Sequence, residues 1–131
     1  MIDHIGMPVS DLARSTEFYL KALAPLGIAI VMEVSAEASG HGAAVGFGAD
    51  FKPFFWIGEA PGLSGGHVHV AFLAPNRAAV DAFYRAALAA GGKDNGKPGL
   101  RPHYHADYYG AFVLDPDGHN IEAVCHKPAA G

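Results

Sequence analysis

An internal repeat is the feature that most constrains how this chain can fold. Sliding the sequence by 65 residues, the separation of His4 and His69, aligns two segments with the same predicted elements. The Ala matches mean little in an Ala-rich chain, whereas the His, Phe-Tyr and Gly matches indicate a duplicated unit. Eight aligned positions are identical: His4/His69, Ala13/Ala78, Phe18/Phe83, Tyr19/Tyr84, Ala22/Ala87, Leu23/Leu88, Ala24/Ala89 and Gly27/Gly92.

Each unit begins with an apolar strand that leads into a helix. Ser10 or Asp11 is the expected N-cap of the first helix and Asn76 that of the second, because their side chains can accept hydrogen bonds from the first free N–H groups. Gly residues follow both helices. Alternating apolar stretches predict strands over residues 2–9, 27–34, 42–47, 53–57, 67–74, 108–114 and 120–126. Residues 93–107 predict only a short strand or loop, and the Asp115-Pro116-Asp117-Gly118 sequence predicts a tight turn.

The order β-α-β-β-β, repeated, predicts an α+β fold in one domain over residues 1–131, with units of about 1–60 and 66–128. Each sheet carries a helix on one face and leaves the other face open. The two sheets are expected to curve into a half-closed barrel with an inner wall for ligands.

Side-chain alternation turns His4, His69 and Glu122 away from the helices, since residues two apart in a strand share a face. The repeat relates the two histidines, and Glu122 lies on a last strand that could meet them. Two imidazoles and a carboxylate suit a divalent transition metal, with Zn, Ni, Mn or Fe all possible. Each could instead be a polar residue satisfied by its neighbours.

Other polar and aromatic side chains cluster just before the seventh strand. His103, His105 and Tyr109 are candidates for proton transfer, with Glu122, and Arg101, His103 and Tyr108 for substrate contact. Trp56 and Phe54 line a pocket floor or fill the barrel. His41 is expected in an exposed turn.

Charge and composition exclude several classes of partner. The net charge is -4, and the nine Lys and Arg residues form no basic stripe, so nucleic acid is not expected. No apolar run is long enough to cross a membrane. Cys125 is the single cysteine, which favours a reducing, cytoplasmic setting.

Three segments combine His or Glu with strand-like flanks: Asp3-His4-Ile5-Gly6, Gly66-His67-Val68-His69-Val70-Ala71-Phe72 and Asp115-Pro116-Asp117-Gly118-His119-Asn120-Ile121-Glu122. They resemble the metal-binding strands of the vicinal oxygen chelate superfamily, the glyoxalase, bleomycin resistance and dihydroxybiphenyl dioxygenase-like group. The resemblance covers nearly the whole chain. It implies the half-closed barrel, His4, His69 and Glu122 as metal ligands, and a homodimer, with the two units paired either within one chain or between chains.

Departures from the family's patterns bear on the reaction. Glyoxalase I places a further carboxylate on the fourth strand, where this chain has Trp56. Extradiol dioxygenases commonly have a Tyr ten residues before the ligand Glu, where this chain has Phe112. Fosfomycin transferases have a Trp on the fourth strand, but this chain has no Arg beyond Glu122 to hold a phosphonate.

Two function classes follow from the resemblance. The first is a metal-dependent enzyme acting on a small oxygenated substrate by lyase or isomerase, transferase or dioxygenase chemistry. The alternative is a protein of the bleomycin-resistance type that binds a small molecule without chemistry, which Trp56 favours. An association domain is a third possibility, against which the polar cluster argues.

Overall fold

Two copies of one β-α-β-β-β arrangement make up the chain in the computed structural model, which describes residues 1–40, 42–63 and 67–129. His41 is outside the described residues. The first unit also contains a short 3₁₀ turn (Ala24–Leu26) and a one-turn helix, α2. The elements are β1 (Ile5–Val9), α1 (Leu12–Leu23), β2 (Ala29–Val34), α2 (Ala36–Ser39), β3 (Ala44–Ala49), β4 (Lys52–Glu59), β5 (His69–Leu73), α3 (Arg77–Ala89), β6 (Lys93–Leu100), β7 (Tyr109–Leu114) and β8 (Asn120–Cys125).

Each unit forms its own four-stranded sheet. The strand orders are β1-β4-β3-β2 in sheet 1 and β5-β8-β7-β6 in sheet 2. In both, the first strand pairs in parallel with the last, and the remaining neighbours are antiparallel. The α+β fold of two βαβββ units is therefore confirmed, with sheets that remain open rather than closed into a barrel.

The helices lie against the apolar faces of the sheets. The Asp11 side chain accepts a hydrogen bond from the Arg14 N–H at 3.1 Å, and Asn76 accepts one from the Ala79 N–H at 2.8 Å, so the predicted caps form. None of the helices described is long and apolar enough to cross a membrane. Aromatic residues from both units fill one core: Phe18, Tyr19, Phe47, Phe55, Phe72 and Phe83.

Strand β6 is longer than the sequence predicted. It spans eight residues, but its pairing with β7 shifts register between Asp94 and Gly96 and again between Gly96 and Gly99. Gly96 has a φ of 150°, a backbone angle that residues other than Gly rarely adopt. These irregularities disturb the alternation by which a strand is recognised in sequence.

The turn at residues 115–118 joins the two units. The buried hydroxyl of Tyr19, on α1, donates a hydrogen bond to Asp115 Oδ2 at 2.5 Å. Asp117 accepts hydrogen bonds from the Ser10 N–H, at 3.1 Å, and from the Ser10 hydroxyl. The sequence predicted the turn but not its role as a clamp between units.

His119, fully buried, completes this clamp at the end of β1. Its Nε2 donates to the Pro8 carbonyl at 3.1 Å, and its Nδ1 accepts from the Val68 N–H at 3.1 Å. The C-terminal end of β1 is therefore fixed beside the start of β8.

Candidate functional site

Glu122 is a buried carboxylate at the centre of sheet 2. It lies on β8 opposite Ala71 of β5 and Phe112 of β7, and it is 1% exposed. Burying a carboxylate is unfavourable unless partners satisfy it. Its two oxygens are accordingly held by two different side chains.

His69 holds the first oxygen and Tyr108 the second. His69 Nε2 lies 2.9 Å from Glu122 Oε1, and the imidazole itself is 52% exposed. The Tyr108 hydroxyl donates to Glu122 Oε2. Burial, followed by the neighbouring carboxylate, raises the pKa of the Tyr108 phenol to about 12. A buried acid thus meets an accessible imidazole on the face of sheet 2 that turns away from the helix.

Four rings surround Tyr108 or extend its cluster. Ring centroids lie 4.7 Å from Tyr108 for Tyr104, 5.5 Å for His105 and 5.4 Å for His126, while His103 lies 4.2 Å from Tyr104. The loop before β7 therefore does bring its aromatic side chains to the edge of the site.

His105 and His126 form a hydrogen-bonded pair within this cluster. The Asp107 N–H donates to His105 Nδ1 at 3.1 Å, so a neutral His105 carries its proton on Nε2, which lies 2.9 Å from His126 Nδ1. His126 was not among the predicted site residues. Its position four residues after Glu122, one residue past the end of β8, was the signal available in the sequence, because residues at even spacing in an extended chain share a face.

Arg101 reaches the same face with most of its donors already engaged. Its guanidinium donates to the carbonyls of Gly99 at 2.8 Å and Lys97 at 2.7 Å, and it lies 5.4 Å from the ring centre of Phe112. This anchoring places a fixed positive charge beside the Glu122 strand.

Tyr109 lies on the opposite face from Tyr108. Its hydroxyl donates to Asp81 Oδ1 on α3 at 2.7 Å, and the Arg77 guanidinium lies 5.2 Å from its ring centre. The hydrogen bond to Asp81, followed by burial, raises the pKa of Tyr109. The fold does not bring this hydroxyl to Glu122.

His4 directly precedes β1 of sheet 1, away from the other two predicted ligands. Pro8 contacts His119, which precedes Asn120, the pairing partner of His69. His4 is four residues before Pro8, a distance of about 13 Å along an extended chain. His4 and His69 therefore lie at opposite ends of the junction between the sheets.

The His4 side chain is 57% exposed, and its Nδ1 lies 2.7 Å from Asp3 Oδ2. The Lys52 ammonium contacts the same Asp3 oxygen at 2.6 Å, and this hydrogen bond, followed by that of His4, lowers the pKa of Asp3. His4 also lines a mostly apolar cavity of about 480 Å³ between the start of β1 and the end of β5. Its Nε2 is the ring nitrogen left for a further ligand.

Trp56 lies on the face of sheet 1 that turns away from α1, whereas Phe54, at the register shift of β4, packs against the hydrophobic core and lines the same cavity as His4. Trp56 pairs with Gly6 on β1 and with Gly46 on β3. A Cβ at Gly46 would lie 2.9 Å from the indole ring, so the absence of a side chain there lets Trp56 lie over the sheet. The surface around Trp56 is mostly apolar, in contrast to the polar face of sheet 2.

The His69 and Glu122 atoms fit two positions of a metal site. Metal–ligand bonds of about 2.0–2.2 Å at roughly a right angle separate neighbouring donor atoms by about 3 Å, close to the observed 2.9 Å. In the part of the chain that is described, no three His, Cys, Asp or Glu side chains converge closely enough to hold a metal ion. One chain therefore supplies two donors at this point.

Comparisons with known proteins agree with this fold. The family model described as Glyoxalase/Bleomycin resistance protein/Dioxygenase superfamily matches residues 1–123. No curated protein matches the chain. A solved glyoxalase/bleomycin resistance protein from Albidiferax ferrireducens is 29% identical, with a TM-score of 0.75 over 98% of this chain and 99% of that chain.

Two further solved structures share the fold at lower identity. A mutant of FosX, a fosfomycin resistance protein from Listeria monocytogenes, complexed with Mn(II) and dihydroxypropylphosphonic acid, is 18% identical, with a TM-score of 0.67 over 95% of this chain and 88% of that one. A glyoxalase I mutant from Zea mays is 24% identical, with a TM-score of 0.68 over 94% of this chain but 46% of that longer chain. With the family model covering nearly its whole length, the chain belongs to the Glyoxalase/Bleomycin resistance protein/Dioxygenase superfamily.

Proposed function

We propose that this protein is a metal-dependent enzyme acting on a small oxygenated substrate by lyase or isomerase, transferase or dioxygenase chemistry. The observation that carries the proposal is the pair formed by His69 and Glu122, whose donor atoms lie 2.9 Å apart on an accessible face of sheet 2. An imidazole and a carboxylate bind Zn, Ni, Mn or Fe. The Mn(II) in the FosX structure supports this choice of metals.

The third ligand in this proposal is His4 from a second copy of the chain. His4 cannot reach the pair within its own chain, because the clamp around His119 holds the two histidines at opposite ends of the junction. Both imidazoles are more than half exposed. A two-fold symmetric dimer uses each surface twice, so one pairing of copies completes two sites.

A divalent ion held there would supply Lewis acidity toward adjacent oxygen atoms of the substrate. The chain's own contribution is the shape and polarity around that point. Glu122 and His69 offer their donors from rigid strands, and Arg101 contributes a fixed positive charge. Trp56 of the second copy would form an apolar wall opposite them, which suits a substrate with a small apolar portion.

Proton transfer is proposed for His105, which is hydrogen-bonded to His126. Because His105 Nδ1 accepts the Asp107 N–H and its Nε2 donates to His126 Nδ1, His105 takes up a further proton only when one of these two hydrogen bonds opens. Tyr109, whose hydroxyl is bound to Asp81 on the helix side, is not part of this proposal. The edge of Tyr108 and the ring of His103 complete the proposed substrate contacts.

A mixing experiment tests the shared site. The variants His4→Ala and His69→Ala, each purified alone, are expected to bind no stoichiometric metal. Co-refolding equal amounts should restore about one quarter of the wild-type metal content, because half of the dimers are mixed and each mixed dimer holds one intact site. Elemental analysis measures the metal. Recovery of none, with dimers confirmed by light scattering, would contradict the shared site.

A second candidate function is binding without chemistry. The apolar face around Trp56, whose indole ring lies over Gly46, favours this function. Glyoxalase I carries a carboxylate at the position of Trp56. Wild-type protein loaded with Zn, Ni, Mn or Fe separates the two. About one metal per chain supports the enzyme, and no retained metal at any loading supports the binding protein.

The proposed setting is the cytoplasm. The single cysteine, Cys125, is buried and unpaired. A chain without disulfides is typical of reducing compartments.

A further inference from the structure

We infer that Tyr108 is a positioning residue that fixes which oxygen of Glu122 faces the metal. The inference rests on the proposed function, since it concerns the same site. The Tyr108 hydroxyl donates its hydrogen bond to Glu122 Oε2, while Glu122 Oε1 is the oxygen beside His69 Nε2. Glu122 is thereby restricted to ligation through one oxygen.

The two oxygens of Glu122 are in different surroundings. Oε1 shares its side of the carboxylate with an imidazole that is 52% exposed, and this is the side from which a ligand can be approached. Oε2 faces the Tyr108 hydroxyl at a carboxylate that is 1% exposed. A protonated phenol donates one hydrogen bond, and here that bond goes to the oxygen turned away from His69.

Gly110 makes the contact between Tyr108 and Glu122 possible. Residues 108 and 110 share a face of the chain as it enters β7, and Gly110 pairs with Val124 on β8. A Cβ at Gly110 would lie 3.2 Å from both Glu122 Oε2 and Tyr108 Cε1. The missing side chain thus leaves the passage through which the Tyr108 ring reaches the carboxylate.

Neighbouring rings hold the Tyr108 ring in this passage. Tyr104, His105 and His126 all lie within 5.5 Å of it, centre to centre. Edge-to-face and offset contacts between rings restrict the orientation that each ring can take. The Tyr108 ring is therefore held in one orientation, with its hydroxyl directed at Glu122 Oε2.

The chemical consequence concerns the coordination number. A carboxylate binds a metal through one oxygen or through both. Without the Tyr108 hydroxyl, Oε2 would be a buried acceptor without its donor, and it would turn toward the ion. Partners of a ligating group commonly change metal affinity by about 10–100-fold when they are removed.

The test uses Co²⁺ as the probe, because its visible absorption falls in intensity as the coordination number rises. We expect Tyr108→Phe to lower the absorption per bound Co²⁺ and to change the Co²⁺ dissociation constant by about tenfold or more. Tyr104→Phe is the matched control, because it removes a hydroxyl from an exposed ring of the same cluster and should leave both measurements unchanged. Thermal unfolding checks that each variant is folded.

Gly110→Ala is the second variant, and it keeps the phenol while crowding the passage. It should change the Co²⁺ spectrum in the same direction as Tyr108→Phe. Unchanged spectra and affinities within twofold for both variants, in a protein whose wild type binds Co²⁺, would overturn the role of Tyr108 alone. A wild type that binds no Co²⁺ would overturn the proposed function and this inference with it.

Discussion

Removing the Tyr19 hydroxyl tests whether the turn at residues 115–118 clamps the two units together. Tyr19 is fully buried and Asp115 is 4% exposed, and the hydroxyl donates to Asp115 Oδ2 at 2.5 Å. In Tyr19→Phe the ring and its packing against Phe18 and Phe55 remain, while the donor to the carboxylate is lost.

The expected loss follows from the type of bond. A hydrogen bond to a charged group contributes about 1.5–3 kcal/mol, and a buried acceptor left without its donor adds to the loss. The other oxygen of Asp115 still accepts the N–H groups of Asp117 and His119 at 2.9 Å each, so the carboxylate is not left wholly unsatisfied. We therefore expect a free energy of unfolding lower by about 2 kcal/mol.

Urea unfolding followed by circular dichroism measures this difference, at one protein concentration because a dimer would make stability depend on it. The midpoint of thermal unfolding should fall by roughly 6–10 °C for a chain of this size. Tyr104→Phe, at a 60% exposed ring, is the control and should change stability by less than about 0.5 kcal/mol. A Tyr19→Phe protein as stable as this control would refute the clamp.

Two further predictions concern the faces of the sheets. Because burial and Glu122 raise the pKa of Tyr108 to about 12 in the folded chain, its contribution to stability is complete below pH 10, the ordinary value, and decreases as pH rises from there toward 12. Burial also raises the pKa of Tyr19, so ultraviolet titration should show one late-titrating phenol fewer in Tyr108→Phe than in the wild type; an unchanged number of late-titrating phenols would contradict the assignment. Gly46→Ala should displace the indole of Trp56, which a Cβ would approach to 2.9 Å, and so shift the emission of the single tryptophan. Gly58→Ala, whose Cβ would meet nothing closer than 4.0 Å, is its control, and equal emission in both variants would be evidence against the packing.

The sequence predicted the features that depend on regular local periodicity. The repeat of His4 and His69 predicted two equivalent units, and alternation assigned Glu122 to the face away from the helix. Strand β6 was underestimated, because the register shifts around Gly96 disturb the period of two. Alternation along β7 could also have distinguished Tyr108 from Tyr109, since neighbouring residues in a strand point to opposite faces.

The arrangement of the two units relative to each other could not be read from the sequence. Equivalent positions in a repeat need not be close in space, and His4 and His69 are separated because the units meet with opposite ends of β1 and β5 together. Long-range contacts such as Tyr19 with Asp115 and Pro8 with His119 determine that arrangement. Each is between residues about a hundred positions apart, which no local pattern reports.

Strand β1 makes more contacts with the second unit at its C-terminal end than at its N-terminal end. Its last residues are bound to the turn at residues 115–119, whereas the segment before it, from Met1 to His4, is exposed and borders open space. Local opening is easiest where few contacts oppose it. His4 therefore belongs to the more adjustable end of a strand whose other end is anchored. The imidazole of His4 can therefore change its position when another surface contacts it, without disturbing the packed interior.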